Sequence, residues 1–346
     1  MRVTQVLCAA GPVDAVTNQA LAWRGLFDRW GWDGADFAAT LAPDMRRAAI
    51  RPLRELQPAD GEIVLIHYSG FARDLERVLD GSARTVLVSH NVTPPDYFWP
   101  YEPVEGVRCT LGREQLAQLA ACADTLAGVS EYNARELGEA TGREVAVIPV
   151  LFDRTGLGPV RDAAFGPPTI LFVGRLAPHK RQDLVIRAFG EYRRRREDAE
   201  LVLVGTPLSP SFGSQLRRLA AEVAPGAVTF ETSLSASRLA ERYRDADVFL
   251  CLSEHEGFCI PLLEAFHFGV PVIARDAGAV REVVGNAGVL LEAKDGVATI
   301  AELLDVVVED QELRAELRAR GEWRLEAYDY ESTAERLRRT LEGRGA

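Results

Sequence analysis

Two glutamates, Glu256 and Glu264, stand eight positions apart in SEHEGFCIPLLEAFHFGVPVIA, residues 253–274. Pro261 reads as a first helical residue, and Gly269 followed by Pro271 as a helix stop leading into a strand. Leu262, Leu263, Ala265, Phe266 and Phe268 make the intervening helix largely apolar. A carboxylate on such a helix costs on the order of several kcal/mol unless a cation or hydrogen-bond donor answers it. For Glu264 that answer is either a ligand diol, such as that of a ribose, or a structural partner, such as a core arginine or a neighbouring helix end. Glu256, nearer the loop tip, is placed to orient a sugar hydroxyl. The backbone N–H groups of Gly257, Phe258, Cys259 and Ile260 lie just ahead of Pro261, where a helix start attracts anions.

A second cluster lies upstream in VGRLAPHKRQDLVIRAF, residues 173–189. Gly174 allows a tight turn at the end of an apolar run, which leaves Arg175 at the strand tip and Lys180 at the start of the next helix. Cations beside a positively polarised helix N-terminus suit a phosphate or pyrophosphate. The bland alternative is a pair of solvated cations.

These residues need strand ends to hold them, and the chain supplies them. Short β-branched runs alternate with helical patterns, which is the signature of parallel βαβ units. In the first half the expected strands are 3–9, 36–41, 62–67, 84–90, 124–129 and 144–148, with helical stretches at 14–30 and 113–122 among them. Residues 153–168, rich in Gly, Pro and charge, read as a linker. The pattern then restarts, with strands expected at 169–173, 200–204, 227–231, 247–252, 270–274 and 287–291. The fold class is α/β, with two doubly wound parallel sheets. Such sheets bind ligands outside the carboxyl ends of their strands, so two facing halves would place a site in the cleft between them. The absence of a GxGxxG turn after the first strand, where only Gly11-Pro12 remains, argues against a nicotinamide dehydrogenase.

Composition sets the outer bounds. The 346 residues are 47% hydrophobic and 26% charged, which fits a globular protein of two ordinary domains. A net charge of −11 argues against nucleic-acid partners. The five cysteines, Cys8, Cys109, Cys122, Cys251 and Cys259, are scattered and form no CxxC pair. Neither a zinc site nor a disulfide framework is expected, and a reducing cytosol fits best. No apolar run approaches the roughly 18 residues of a membrane span, and residues 3–10 read as a core strand rather than a signal sequence.

FVGRLAPHKRQDLVIRAF followed by SEHEGFCIPLLEAFHFGVPVIARDAGAVREVVGNAGVLL closely resembles the nucleotide-sugar half of the family 4 retaining glycosyltransferases of the GT-B fold. The likeness covers roughly residues 168 to 292, with both blocks in order. It implies two Rossmann-like domains: 1–155 for the acceptor and 156–325 for the nucleotide sugar, with a terminal helix, 326–346, crossing back to the first. By the same resemblance Arg175 and Lys180 hold the donor diphosphate. Gly174 belongs to the donor site, Glu264 binds the ribose hydroxyls, and Glu256 contacts the transferred sugar with help from the amides of Gly257, Phe258, Cys259 and Ile260. In the first half LVSHNVTPPDYF ends a strand with His90, where the family commonly places a histidine facing the donor sugar; a packed histidine bonded to backbone is the alternative. Gly11 would approach the donor closely, although AAGPVDA is less glycine-rich than the loop of many relatives.

The resemblance implies transfer of a hexosyl unit from a nucleotide-diphosphate sugar to an acceptor hydroxyl, with retention and without a metal or other cofactor. The leaving phosphate takes the acceptor proton, so no dedicated protein base is assigned. The acceptor is a glycan, lipid-linked or small molecule in bacterial glycan or cell-envelope synthesis. The expected place is the cytoplasm, including the inner face of the membrane through a peripheral contact. Competing readings are a GT-B epimerase, a phosphorylase or a non-catalytic sugar-nucleotide-binding subunit. Asp245-Ala246-Asp247 spells a DxD but reads as a helix-to-strand turn, and Arg193–Arg196 reads as a solvated helix end. The aromatic residues Tyr97, Phe98, Trp99 and Tyr101 either line the acceptor side or pack beneath their own loop.

Overall fold

The computed structural model describes residues 1–12, 14–43, 45, 49–79, 81–160 and 166–343. The chain forms two compact units, Met1–Leu151 together with the chain from Tyr330 on, and Phe152–Asp329. Residues 161–165 of the linker expected over 153–168 lie outside the described residues, as do the last three of the terminal segment.

The first unit is built on seven parallel strands in the order β3-β2-β1-β4-β5-β6-β7. They are β1 (Val3–Ala10), β2 (Asp36–Leu41), β3 (Ile50–Pro52), β4 (Ile63–Tyr68), β5 (Arg84–Ser89), β6 (Thr125–Gly128) and β7 (Ala146–Val147). Helices α1 (Ala15–Arg29), α2 (Pro103–Cys122) and α3 (Glu131–Thr141) join them. Strand β4 is buried along its whole length, as expected where helices cover both faces of a parallel sheet. Local chemistry sets the helix ends: Asp14 caps α1 by accepting from the Thr17 amide at 2.7 Å, and Ser130 caps α3 through the Asn133 amide.

The second unit carries six parallel strands in the order β10-β9-β8-β11-β12-β13. These are β8 (Thr169–Val173), β9 (Glu200–Val204), β10 (Val228–Glu231), β11 (Val248–Cys251), β12 (Val272–Arg275) and β13 (Gly288–Leu291). Their helices are α4 (Gln182–Arg193), α5 (Pro210–Val223), α6 (Ala236–Asp245), α7 (Ile260–His267), α8 (Val280–Val284), α9 (Val297–Glu309) and α10 (Gln311–Leu325). Ile170, Phe172, Leu201, Leu203, Val248 and Leu250 form the sheet side of a core closed by Val185, Phe189, Ile300 and Leu304. The last helix, α11 (Tyr330–Glu342), belongs to the first unit, where Tyr330 accepts from Arg29 at 2.7 Å and Arg84 donates to the Leu341 carbonyl.

Two elements depart from the sequence expectation. Strand β3 was not anticipated, because Ile50–Pro52 is too short to show alternation. As an edge strand it tolerates its proline. Helix α2 starts at Pro103 rather than near residue 113. Gly106 and Gly112 weaken its helical signal, yet the fold uses both: a Cβ on Gly106 would meet the Trp99 ring at 2.7 Å, and one on Gly112 the Phe71 amide at 2.9 Å. Phe98 is buried, while Trp99 and Tyr101 remain exposed.

The DxD-like string is structural. Asp247 accepts from the Thr169 amide at 2.9 Å and from Arg314 at 3.0 Å, which ties β8, β11 and α10 together. Of the arginine run, Arg194 pairs with Glu191 at 2.9 Å, Arg195 with Glu302 at 3.4 Å, and Arg196 with Glu309.

One close approach governs the carboxyl edge of the second sheet. Gly174 follows β8 at φ +150°, and Gly205 follows β9 at φ +156°. A Cβ on Gly205 would sit 1.9 Å from the Gly174 carbonyl oxygen, so no other residue fits there. Gly205→Ala should destabilise the second unit by at least about 2 kcal/mol through clash and backbone strain. Urea unfolding followed by far-ultraviolet circular dichroism checks this, and an unchanged midpoint would refute it.

Candidate active site

In the second unit the segments that follow β8 and β11 are locked to each other. The Glu254 amide donates to the His179 carbonyl at 2.7 Å. Arg181, the αL residue that precedes α4, bonds Glu254 and Asp183, and Arg275 reaches Glu254 at 3.2 Å. At the centre, Lys180 Nζ lies 2.6 Å from Glu256 Oε1, and Ser253 Oγ donates to the same oxygen at 2.7 Å. Burial pulls the Lys180 ammonium down, but Glu256, with smaller help from Cys259 and Cys251, outweighs it and holds the lysine above its ordinary value. The lysine therefore stays charged. Below this pair Gly278, at φ +58°, brings its backbone so close that a Cβ would stand 2.4 Å from the Glu256 carbonyl, and Ala279 donates to that carbonyl at 3.0 Å.

Arg175 is exposed at the tip of β8, and its guanidinium has no partner among the described residues. Its backbone is nevertheless held: Gln182, fully buried, donates to the Arg175 carbonyl at 3.1 Å and accepts from the Ala177 amide at 3.2 Å. Lys180 lies in the short 3-10 turn Pro178–Lys180, ahead of α4 rather than in it.

Helix α7 begins at Ile260, with Pro261 in its first turn and Cys259 at φ +79° before it. Among the described residues the amides of Phe258, Cys259 and Ile260 find no acceptor. Phe258 is buried edge-on against Tyr328, 5.4 Å between centroids. Glu264 accepts from Tyr243 at 2.6 Å through Oε2, so its protein partner is a tyrosine rather than the arginine or helix end anticipated. Desolvation raises the Glu264 carboxyl and the Tyr243 bond partly offsets it. Its other oxygen, Oε1, has no partner among the described residues and stays open to a ligand. Cys251 and Cys259, eight positions apart, come within 3.9 Å, sulfur to sulfur. Hydrogen bonding between the thiols pulls Cys251 below its ordinary value and pushes Cys259 above, with burial adding to the latter.

In the first unit His90 follows β5, at the carboxyl edge of that sheet, with its amide on the Tyr68 carbonyl. Its side chain ends a buried polar chain. Arg24 pairs with Asp36 at 2.6 Å. Gln5 Nε2 donates to Asp36 and to the Ala20 carbonyl, each at 2.9 Å. Two acceptors fix that end of the amide as nitrogen, so Gln5 Oε1 must accept from His67 Nε2 at 2.9 Å. His67 Nδ1 then carries only a lone pair and accepts from His90 Nε2 at 3.0 Å. The chain thus sets both tautomers and leaves His90 Nδ1 as an acceptor with no partner among the described residues. Neutral His90 therefore carries its proton on Nε2 and a lone pair on Nδ1.

Gly11 lies at the end of β1, and its amide donates to Thr17 Oγ at 3.1 Å. A Cβ there would meet nothing within 4 Å, so no protein group requires the glycine. Asp14 is a helix cap.

Within the second unit the structure gathers Gly174, Arg175, Lys180, Glu256, Gly257, Phe258, Cys259, Ile260 and Glu264 on the loops after β8 and β11 and the start of α7. His90 and Gly11 lie in the first unit. Sequence reasoning missed Ser253, Tyr243, Gly278, Gln182, and the pair Gln5 and His67. The signals were thin: a glutamine in an apolar strand and a histidine ending EIVLIH.

Two parallel-sheet units with anion-ready loops at a carboxyl edge define a nucleotide-sugar type of architecture, and comparison with known proteins agrees. Residues 161–324 match the family model for glycosyl transferases group 1. The D-inositol 3-phosphate glycosyltransferase of Nocardia farcinica is 30% identical over 336 residues, 89% of this chain and 72% of that one. The GDP-mannose-dependent alpha-(1-6)-phosphatidylinositol monomannoside mannosyltransferase of Mycolicibacterium smegmatis is 28% identical over 285 residues, 76% of this chain and 71% of that one. Among solved structures, HepE of Anabaena, crystallised with UDP and glucose, superposes with a TM-score of 0.76 at 16% identity, covering 99% of this chain and 100% of that one. The sucrose-phosphate synthase of Thermosynechococcus elongatus gives 0.73 at 16% identity, covering 99% and 98%. The chain belongs to the glycosyl transferases group 1 family, with the GT-B fold. No helix among the described residues is long and apolar enough to cross a membrane.

The buried histidines make a pH prediction. Burial lowers His90 from 6.5 to about 4; His67 is lowered by burial and then by His90. Between about pH 6.5 and 4 the unfolded chain therefore binds protons that the folded chain refuses, and stability rises with pH. Nothing is lost above pH 6.5; acidification through the window costs up to about 1.4 kcal/mol per pH unit for each histidine. Urea midpoints of the first unit should fall from pH 7 to 4.5, and less steeply in His67→Gln/His90→Gln. Equal slopes would contradict the assignment.

Proposed function

We propose that the protein is a retaining, metal-independent hexosyltransferase that moves a sugar from a nucleotide diphosphate to an acceptor hydroxyl. The observation that carries this reading is the charged, braced Lys180 beside the open amides of Phe258 to Ile260 and the unpartnered Arg175 guanidinium. Glycosyl transfer builds negative charge on the departing diphosphate, and preorganised cations and helix-start amides stabilise it without a metal. In this reading Arg175 and Lys180 hold the diphosphate. Glu264 Oε1 takes a ribose hydroxyl, Glu256 and the amides after it meet the transferred sugar, and His90 Nδ1 accepts from a hydroxyl. The leaving phosphate takes the acceptor proton, and no side chain is assigned as base.

Both relatives are named for inositol compounds, which puts a polyol phosphate or its lipid ester first among acceptors. With a lipid-linked acceptor the enzyme would work at the inner face of the membrane, from the cytoplasm. The relative named for GDP-mannose and the HepE crystals with UDP point to different donor bases, so the donor is tested directly.

Thermal shift against UDP-, GDP-, ADP- and TDP-sugars should give one responding nucleotide. Ligand at about a hundred times its dissociation constant adds near 2.7 kcal/mol, a shift of a few degrees. Glu264→Ala and Arg175→Ala should abolish the shift. Arg175→Ala should also lower turnover roughly a hundredfold, about 3 kcal/mol, with the fold intact. Near wild-type turnover in that variant would remove the diphosphate assignment. Product formation without an acceptor would favour an epimerase.

A further inference from the structure

We propose that Cys251, Cys259 and Glu256 form a binding site for a soft divalent cation, Zn²⁺ or a thiophilic relative, at the carboxyl end of β11 and in the loop that follows it. The two sulfurs and a Glu256 carboxylate oxygen lie within 4.8 Å of one another. Two thiolates bound tetrahedrally at about 2.3 Å from one zinc stand roughly 3.8 Å apart, and the observed separation is 3.9 Å. The sulfurs are thus spaced for a shared ion, whereas a disulfide at about 2.05 Å would require them to close by nearly half. Glu256 Oε1 already serves Lys180 and Ser253, which leaves Oε2 for the third ligand position. Three protein ligands and one open position is a common zinc arrangement.

Charge supports the site. Binding releases two protons to solvent, M²⁺ + 2 Cys–SH → M(S–Cys)₂ + 2 H⁺, with no electron transfer. Two thiolates neutralise the dication, so Glu256 and Lys180 still balance each other. The backbone contributes as well: Cys259 sits at φ +79°, a region that disfavours side chains, and there it directs Sγ at Cys251.

The cation is not a cofactor of transfer. Drawing Glu256 into the coordination sphere takes the carboxylate from the sugar, so occupancy should inhibit; this consequence rests on the proposed function, whereas binding does not.

Anaerobic titration with Co²⁺ in the absence of any nucleotide sugar tests the site whatever the enzyme transfers. One equivalent should give the thiolate-to-cobalt charge-transfer band and the visible bands of tetrahedral cobalt, which Zn²⁺ should erase. Cys251→Ser should lose the bands, and Cys122→Ser, at an exposed cysteine outside the cluster, should keep them. Should Cys251→Ser fail to fold, alkylation mapped by mass spectrometry in the wild-type chain replaces it: Zn²⁺ should protect Cys251 and Cys259 selectively. Absence of the bands, bands that persist in folded Cys251→Ser, or no selective protection would overturn the proposal. So would recovery of a Cys251–Cys259 disulfide peptide in place of metal binding.

Discussion

The ion pair between Lys180 and Glu256 is the interaction on which the second unit's carboxyl edge depends. A buried pair of this kind is not by itself a source of stability, because removing two charges from water costs about as much as their attraction returns. Here the pair works as a tie. Its ends lie on segments after β8 and β11, strands adjacent in the sheet; the contacts from Glu254 to His179 and Arg181 hold the same two segments, and Arg275, at the end of β12, anchors Glu254 from the next strand. Such a brace needs close backbone approach, and Gly278 below Glu256 and Gly205 against Gly174 provide it. A fixed ammonium beside open amides is what an anionic ligand requires, since nothing then has to be reorganised when charge arrives.

The first unit reaches a similar result by neutral hydrogen bonding. Its chain from Arg24 to His90 begins at an ion pair and passes through a glutamine whose two ends cannot be exchanged. It ends on two imidazoles whose protons are thereby assigned. A satisfied buried network of this kind specifies orientation more than it stabilises. Trp23, itself fully buried, packs on His67 with 4.9 Å between ring centroids.

Much of this was legible in the sequence. All twelve anticipated strands fall within two residues of the observed bounds, the one expected over 144–148 being trimmed to Ala146–Val147, because β-branched runs bounded by glycine and proline leave few alternatives. The motif residues were visible for the same reason: charges next to strand ends stand out. What could not be read was partnership. Glu264 announced a buried carboxylate but not that Tyr243, twenty-one positions earlier, would answer it. Cys251 and Cys259 looked scattered because an eight-residue separation says nothing about a loop that doubles back. Gln5 looked like a polar interruption in a strand, although it sets the orientation of two histidines. Residues whose role is to hold another residue carry no spacing signature.

The tautomer of His90 also bears on selectivity. An imidazole nitrogen limited to accepting distinguishes between groups that a rotatable hydroxyl or an ammonium would treat alike. It rewards a sugar face that presents O–H and gains nothing from fluorine, an ether oxygen or a carboxylate at the same place. In the proposed reading, discrimination among hexoses at that position is thus encoded well away from the sugar, in an amide of β1 that cannot turn over.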